Sequence, residues 1–311
     1  MKVKRRVLIE IFIFIIIIFL NPVSYAGYQK WNSLNYDAKL NSDGSMDVVE
    51  TWDIDVSMTN TLFKNFALDK SKYSGITNVS VVDMQTGVKF KDIDTQMYHV
   101  AKNYFYALQV KRDKFEIAWG VGLDNVSLTK KYQLSYTIKD AVTVYNDCNE
   151  LYWKFLDKSN QIPAKIITGQ IHLPSPVTNM DNLRVWAHGP LQGKIQKKDN
   201  QTVNFEIEKL NAGDMLEVRV VTEEPIFTES KKIVHTNKLN SIISEEMIWA
   251  NQANILRIGV RIFLILVVCG YWATAIILAM KIMKYLKELE HKENISYDVQ
   301  VGKYFRDIPR D

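Results

Sequence analysis

At 311 residues, with 47% hydrophobic and 24% charged side chains, the chain is too apolar for a disordered protein and long enough to bury a sizeable core. Two cysteines exclude a disulfide-stapled scaffold. The net charge of +4 belongs to the ends, because residues 27–256 carry 26 basic against 28 acidic side chains, and this balance gives no support to a nucleic-acid partner.

Lys2, Lys4, Arg5 and Arg6 precede an apolar stretch, Val7 to Leu20, interrupted only by Glu10. Ser24-Tyr25-Ala26 then places small residues at the two positions a signal peptidase inspects, so a signal peptide over residues 1–26, cleaved after Ala26, is expected. An uncleaved anchor would give the same topology, with Gly27 onward exported.

The exported part reads as strands. Asn35 to Leu40 alternates, residues 41–45 turn, and Met46, Val48, Trp52, Ile54 and Val56 share one face against Asp47, Thr51, Asp53 and Asp55 on the other, which predicts a hairpin. Further strands are expected at Ile76 to Met84, Val88 to Phe90, Tyr104 to Val110, Phe115 to Trp119 and Lys131 to Ile138. Beyond Tyr145 they are expected at Leu151 to Phe155, Ile166 to Leu173, Leu183 to Trp186, Val203 to Ile207 and Met215 to Thr222. Half-buried strands need a second apolar layer, so the fold class is mainly β, an antiparallel β-sandwich, as two packed lobes or one elaborated unit, with any division near residues 140–150.

Several runs invite chemistry. Asn41, Asp43, Ser45 and Asp47 alternate oxygens as calcium loops do, but a sixth-position glycine and a twelfth-position Glu are missing, and a hairpin turn explains them. Ser127-Leu128-Thr129-Lys130 matches the S-x-x-K of penicillin-binding enzymes, yet it leads into a strand and no K-T-G follows. The five histidines are scattered, without a zinc or serine-hydrolase signature, so no cofactor, metal or catalytic residue is assigned. Aromatics such as Tyr98, Tyr104, Phe105, Tyr106, Trp119, Tyr145, Tyr152 and Trp153 could stack on sugars, but in strands they more often fill a core. Cys148 and Cys269 lie on opposite sides of an expected membrane boundary and cannot pair within one chain.

After Thr222 the period changes. Leu239, Ile242, Ile243, Met247 and Ala250 recur at three-to-four spacing, predicting a helix from about Lys238 that either continues into the membrane or lies apart from it. Ile262 to Met280 carries no charge and spans about 28 Å as a helix, close to the hydrocarbon core. Lys281, Lys284, Lys287 and Lys292 follow it, so the positive-inside bias places the C-terminus in the cytoplasm. Trp249, Arg257, Arg261, Lys281 and Lys284 are the expected membrane-interface anchors.

Asp43-Gly44-Ser45-Met46-Asp47-Val48 followed by Glu50-Thr51, then Leu134 to Ile138, Tyr145-Asn146-Asp147, Glu150 to Lys154, Leu173-Pro174, His188-Gly189 and Gly213 to Arg219 run in the order of a known family. Through them the chain resembles the bacterial membrane proteins grouped as domain of unknown function 2207. The resemblance implies a signal peptide, an extracytoplasmic β-rich domain and a membrane helix, and supplies no activity. Tyr304 to Pro309 resembles the entry of relatives into a longer cytoplasmic part, which suggests a short, split or truncated form.

The expected organisation is a signal peptide (1–26), a β-rich extracytoplasmic domain (27–230), a juxtamembrane helical segment (231–261), a transmembrane helix (262–280) and a basic cytoplasmic tail (281–311). The functional expectation is a non-catalytic binding or assembly module of the cell envelope. Its partners would be the lipid bilayer and another envelope protein or cell-wall polymer. Asp147, Glu150, Tyr152, Trp153 and His188 are the candidate contact residues. The alternative is an envelope hydrolase acting on wall polymer, with a site assembled from distant residues such as Asp147, Glu150 and His188.

Overall fold

The computed structural model describes residues 27–122 and 127–306, with side chains through residue 292, so the expected signal peptide lies outside the described residues. The chain divides into two compact units, residues 1–239 and 240–311.

Alternation builds the first unit. In β1 (Tyr28–Leu40) Leu34, Tyr36, Ala38 and Leu40 are buried while Asn35, Asp37 and Lys39 are exposed; in β2 (Met46–Ser57) every even-numbered residue from Met46 to Val56 is buried. The turn between them is closed by its own side chains: the Ser45 amide and hydroxyl donate to Asp43 Oδ1 at 2.9 and 2.6 Å, and Gly44 takes a φ of 80°. The Ser45 hydrogen bonds hold the Asp43 carboxyl below its ordinary range. The chain continues through β3 (Thr61–Ala67), β4 (Gly75–Asp83), β5 (Val88–Lys89), β6 (Lys91–Asp92), β7 (Tyr104–Lys111), β8 (Lys114–Gly120) and β9 (Ser127–Lys139). Then come β10 (Val142–Tyr145), β11 (Asn149–Leu156), β12 (Ala164–His172), β13 (Leu183–His188), β14 (Lys194–Lys197), β15 (Thr202–Leu210), β16 (Leu216–Thr222) and β17 (Ile233–Val234).

These strands form three sheets, in the orders β14-β15-β12-β1-β2-β9-β4-β5, β13-β16-β11-β10-β17 and β3-β8-β7-β6. Most pairings are antiparallel, as expected. A long parallel pairing joins β1 to β12 in the middle of the eight-stranded sheet, and shorter ones join β10 to β17 and β6 to β7. A parallel pair needs a long crossover rather than a hairpin, and between β1 and β12 the chain supplies the whole four-stranded sheet and β10 and β11 of the five-stranded one. Ser127 of the S-x-x-K run starts β9, with its hydroxyl donating to Ser57 Oγ at 2.8 Å.

One buried cluster runs through all three sheets, from Trp31 to Phe227. Its centre is a chain of edge-to-face rings, Trp31 on Trp52 and Trp52 on Trp119, each with centroids 4.9 Å apart, continued by Tyr132 at 5.9 Å from Trp119. A smaller cluster joins Val100, in the segment between β6 and β7, to Tyr106 of β7 and Ala118 of β8. That segment comes so close that a Cβ on Gly120 would stand 2.0 Å from the Ala101 carbonyl oxygen. Glycine is therefore required at the end of β8 by contact rather than by torsion.

An ion pair sits inside the main cluster. Glu50 is 0% exposed, and Lys64 Nζ stands 2.9 Å from its Oε1. Tyr136 OH donates to the same oxygen at 2.6 Å and Trp52 Nε1 donates to Oε2 at 2.8 Å. Lys64 also donates to the Phe155 carbonyl at 2.8 Å, and so links β2, β3 and β11, one strand from each sheet. Burial, and then the Glu50 charge, drive the Tyr36 and Tyr136 hydroxyls far above their ordinary titration range.

Residues 231–238 are not helical: Ile233–Val234 form β17, the chain bends at Thr236, whose amide donates to the Val234 carbonyl at 2.8 Å, and the Val144 and Asn146 amides donate to the Lys232 and Thr236 carbonyls at 3.0 and 3.1 Å. The second unit is helical. It belongs to α1 (Leu239–Arg306), one unbroken helix of 68 residues, about 100 Å long at 1.5 Å per residue. By length and composition α1 can cross a membrane, and the juxtamembrane and membrane segments are continuous within it.

Candidate functional site

The candidate residues gather around β11, where alternation sends them to two faces. Leu151, Trp153 and Phe155 enter the core, with the Trp153 ring 5.4 Å from Tyr73 and 6.5 Å from Phe66. Glu150, Tyr152 and Lys154 take the opposite face, in register with Val221, Arg219 and Glu217 of β16. His188 and Trp186 of β13 are in register with Glu217 and Arg219 and extend the same face. The fold therefore brings Glu150, Tyr152 and His188 to one side and Trp153 to the other.

The charges on that face are engaged. Arg219 Nε donates to Glu150 Oε1 at 2.6 Å, and Tyr145 OH reaches Glu150 Oε2 at 3.3 Å. The Arg219 guanidinium stands 4.5 Å from the Tyr152 ring centroid, and Tyr152 OH donates to Glu217 Oε2 at 2.9 Å. Lys72 Nζ lies 3.7 Å from Glu217 Oε1 and 4.8 Å from the same ring. His188 meets Tyr152 edge-on at 6.2 Å. Glu150, Glu217 and Arg219 are all buried. Burial and then the Glu150 charge push the Tyr145 hydroxyl up to about 12.

Asp147 does different work. Its Oδ1 accepts from the Lys238 amide at 2.7 Å and its Oδ2 from the Leu239 amide at 3.2 Å, at the first residue of α1. This is an N-cap supplied from a distant strand connection, satisfying amides that the helix start leaves unpaired. Next to it Cys148 is buried, and its thiol is pushed up to about 12 by desolvation and by the Asp147 and Glu150 charges, which suits an inert core cysteine. Among the described residues, no group of three or more His, Cys, Asp or Glu side chains is placed to hold a metal ion.

Of the aromatics considered for sugar stacking, Phe105, Tyr106, Trp119 and Trp153 are buried, and Tyr98 is exposed. An open surface appears elsewhere, on the outer face of the eight-stranded sheet. A groove of about 480 Å³ is lined there by Asn35, Thr168, Gln170, Lys194, Gln196, Asn204 and Glu206. Strand alternation explains its polarity, since Val203, Phe205 and Ile207 of β15 turn inward and leave Asn204 and Glu206 outside. None of these residues stands out as a site in the sequence, because an amide on the solvent face of a strand has no distinguishing local pattern. The expected interface anchors Trp249, Arg257, Arg261, Lys281 and Lys284 all lie on α1.

A mainly β unit followed by a helix able to cross a membrane defines the class as a membrane-attached β protein. Residues 30–222 match the family described as "Predicted membrane protein (DUF2207) N-terminal domain", and the chain belongs to that family. No curated protein matches the chain. Among solved structures it is similar to yeast LTA4 hydrolase in complex with Bestatin, at 8% identity and a TM-score of 0.35, covering 62% of this chain and 28% of that one. An aminopeptidase N family protein from Idiomarina loihiensis has 10% identity and a TM-score of 0.32, with 60% and 29% covered. An M1 zinc metallopeptidase from Deinococcus radiodurans has 8% identity and a TM-score of 0.30, with 61% and 42% covered. The chain thus spans less than half the length of these structures.

Proposed function

We propose that this protein is a single-pass, membrane-tethered binding module of the cell envelope, with its β unit outside and its basic tail in the cytoplasm. The observation that carries the reading is how the polar side chains are deployed. Asp147, Glu150, Glu217 and Arg219 are spent on partners within the fold, whereas the outer face of the eight-stranded sheet presents an open groove. The orientation is supported by the basic start ahead of the first apolar run and the four lysines from Lys281 to Lys292 after the second. Arg261 and Lys281 are twenty residues apart on one continuous helix, about 30 Å, which matches the hydrocarbon thickness they would bracket as anchors.

Crosslinking intact cells with a membrane-impermeant reagent, followed by purification of the full chain, tests the reading. It requires discrete adducts absent from an unrelated β domain tethered by the same helix. Identical adduct patterns for the two proteins would contradict it.

A further inference from the structure

We propose that the groove on the outer face of the eight-stranded sheet binds a neutral, polyhydroxylated chain, a glycan strand laid across β14, β15, β12 and β1. The proposal rests on the binding-module reading above and names the chemistry of its ligand.

Register places the lining side chains in two rows that cross the strands. Gln196, Asn204 and Gln170 form one row; Lys194, Glu206, Thr168 and Asn35 form the other. The rows stand about 6.7 Å apart along each strand; the second crosses four strands over about 14 Å, and the first crosses three and meets Asp37 on β1. Beyond the groove the second row runs on through Thr51 of β2 and Gln133 of β9, so the face offers hydrogen-bonding groups past its deepest part.

Amide and hydroxyl side chains both donate and accept, as sugar hydroxyls do, and a row of them accommodates a ligand whose groups have both roles. The charged lining residues are Lys194 and Glu206. They lie 3.9 Å apart, and Lys194 is also 3.8 Å from Glu208, so this side of the groove offers a polyanion no uncompensated positive charge. Asn204 Oδ1 supplies a second observation. It is buried without a hydrogen-bond partner between Gln196 and Gln170, a costly state that a ligand hydroxyl relieves once the side chain turns toward it.

A peptide is disfavoured by the same surface. Peptides that bind sheets generally add to an edge through their backbone, with apolar side chains seated in pockets. Here the ligand would lie on a face, and the aromatic ring beneath it, Phe205, packs inward against Phe155 and Tyr36 at 5.2 and 6.2 Å. Without an aromatic platform in the groove, binding depends on hydrogen bonds, and loss of single amides should be measurable.

The test is titration of the full chain in nanodiscs with an N-acetylglucosamine tetramer and a neutral glucan tetramer. Polyglycerol phosphate and a tetra-alanine peptide serve as competitors. At least one oligosaccharide should bind saturably and be weakened about tenfold or more by both Asn204→Ala and Gln170→Ala. Gln109→Ala, at an exposed position of β7, should leave it unchanged, and melting curves should show all three variants folded. Asn204→Leu, which keeps the approximate shape and removes both the acceptor and the donors of the amide, should also weaken the sugar if either alanine variant fails to fold. Three results overturn the proposal: no saturation by either sugar, affinity unchanged in the folded groove variants, or displacement of the sugar by the peptide or the polyanion. Absence of sugar binding alongside specific adducts in the intact-cell experiment would remove the glycan and leave the binding module. Absence of both would remove both.

Discussion

Two charged clusters of similar composition sit in different places and are held differently. Glu50 and Lys64 lie within the core, enclosed by Tyr36, Trp52 and Tyr136, and their hydrogen bonds join one strand from each of three sheets. Glu150 and Arg219 lie on adjacent strands of a single sheet, on a face shared with Tyr152, Glu217 and Lys72. In the first cluster Lys64 brings the positive charge, while the other groups that donate to Glu50, the Tyr136 hydroxyl and the Trp52 ring nitrogen, are neutral. In the second, aromatic faces and further charges share the load. A carboxylate beside a cation is therefore a poor sign of chemistry in this fold, because both pairs are consumed in holding strands.

Breaking the first pair should have the largest effect. Lys64→Met leaves Glu50 buried without its cation and should cost about 3–5 kcal/mol in urea unfolding of the full chain. The double variant Glu50→Gln with Lys64→Met should recover part of that loss. A loss below about 1 kcal/mol for the single variant would remove the contrast between the clusters. Arg219→Met should cost less, about 2–3 kcal/mol, because Glu150 keeps the Tyr145 hydroxyl and the remaining residues of the face keep their own contacts.

The smallest effect concerns Glu224. Its carboxylate accepts from the Thr178 and Asn179 amides and from the Asn182 side chain, and the backbone hydrogen bonds hold its pKa down to about 2. A folded-state pKa below the ordinary value of 4.5 gives stability that is complete above that value and lost as pH falls toward about 2. The difference in melting temperature between the native chain and Glu224→Gln should therefore be constant near neutrality and shrink between those two values. A difference that grows on acidification would reverse the assignment.

Much of the fold was legible where alternation was long and clean. Met46 to Val56 and Lys131 to Ile138 fall within β2 and β9, and the helix begins at Leu239, one residue from its expected start. Glu50 stands between Val48 and Trp52 on the buried face, a place the alternating apolar residues leave unassigned, and nothing in the local pattern names Lys64 as its partner. The strand holding Lys64, Thr61–Ala67, has no clean alternation in the sequence, because Lys64 takes a buried position while the apolar Phe63 and Ala67 face outward. The parallel pairing of β1 with β12 depends on residues more than a hundred positions apart, beyond any local signal. Asp147 and Glu150 were visible as polar residues beside a strand, but their roles as helix cap and ion-pair partner required Leu239 and Arg219 to be in place.

The central claim is that the open groove of the eight-stranded sheet, rather than any other exposed part of the β unit, meets the envelope. Replacing Gln196 with a photoreactive amino acid, with Gln109 as an exposed control, compares the groove directly with another part of the same surface in living cells. The account predicts an ultraviolet-dependent adduct at position 196 and none at position 109. Equal adducts at both positions, or an adduct at position 109 alone, would contradict it.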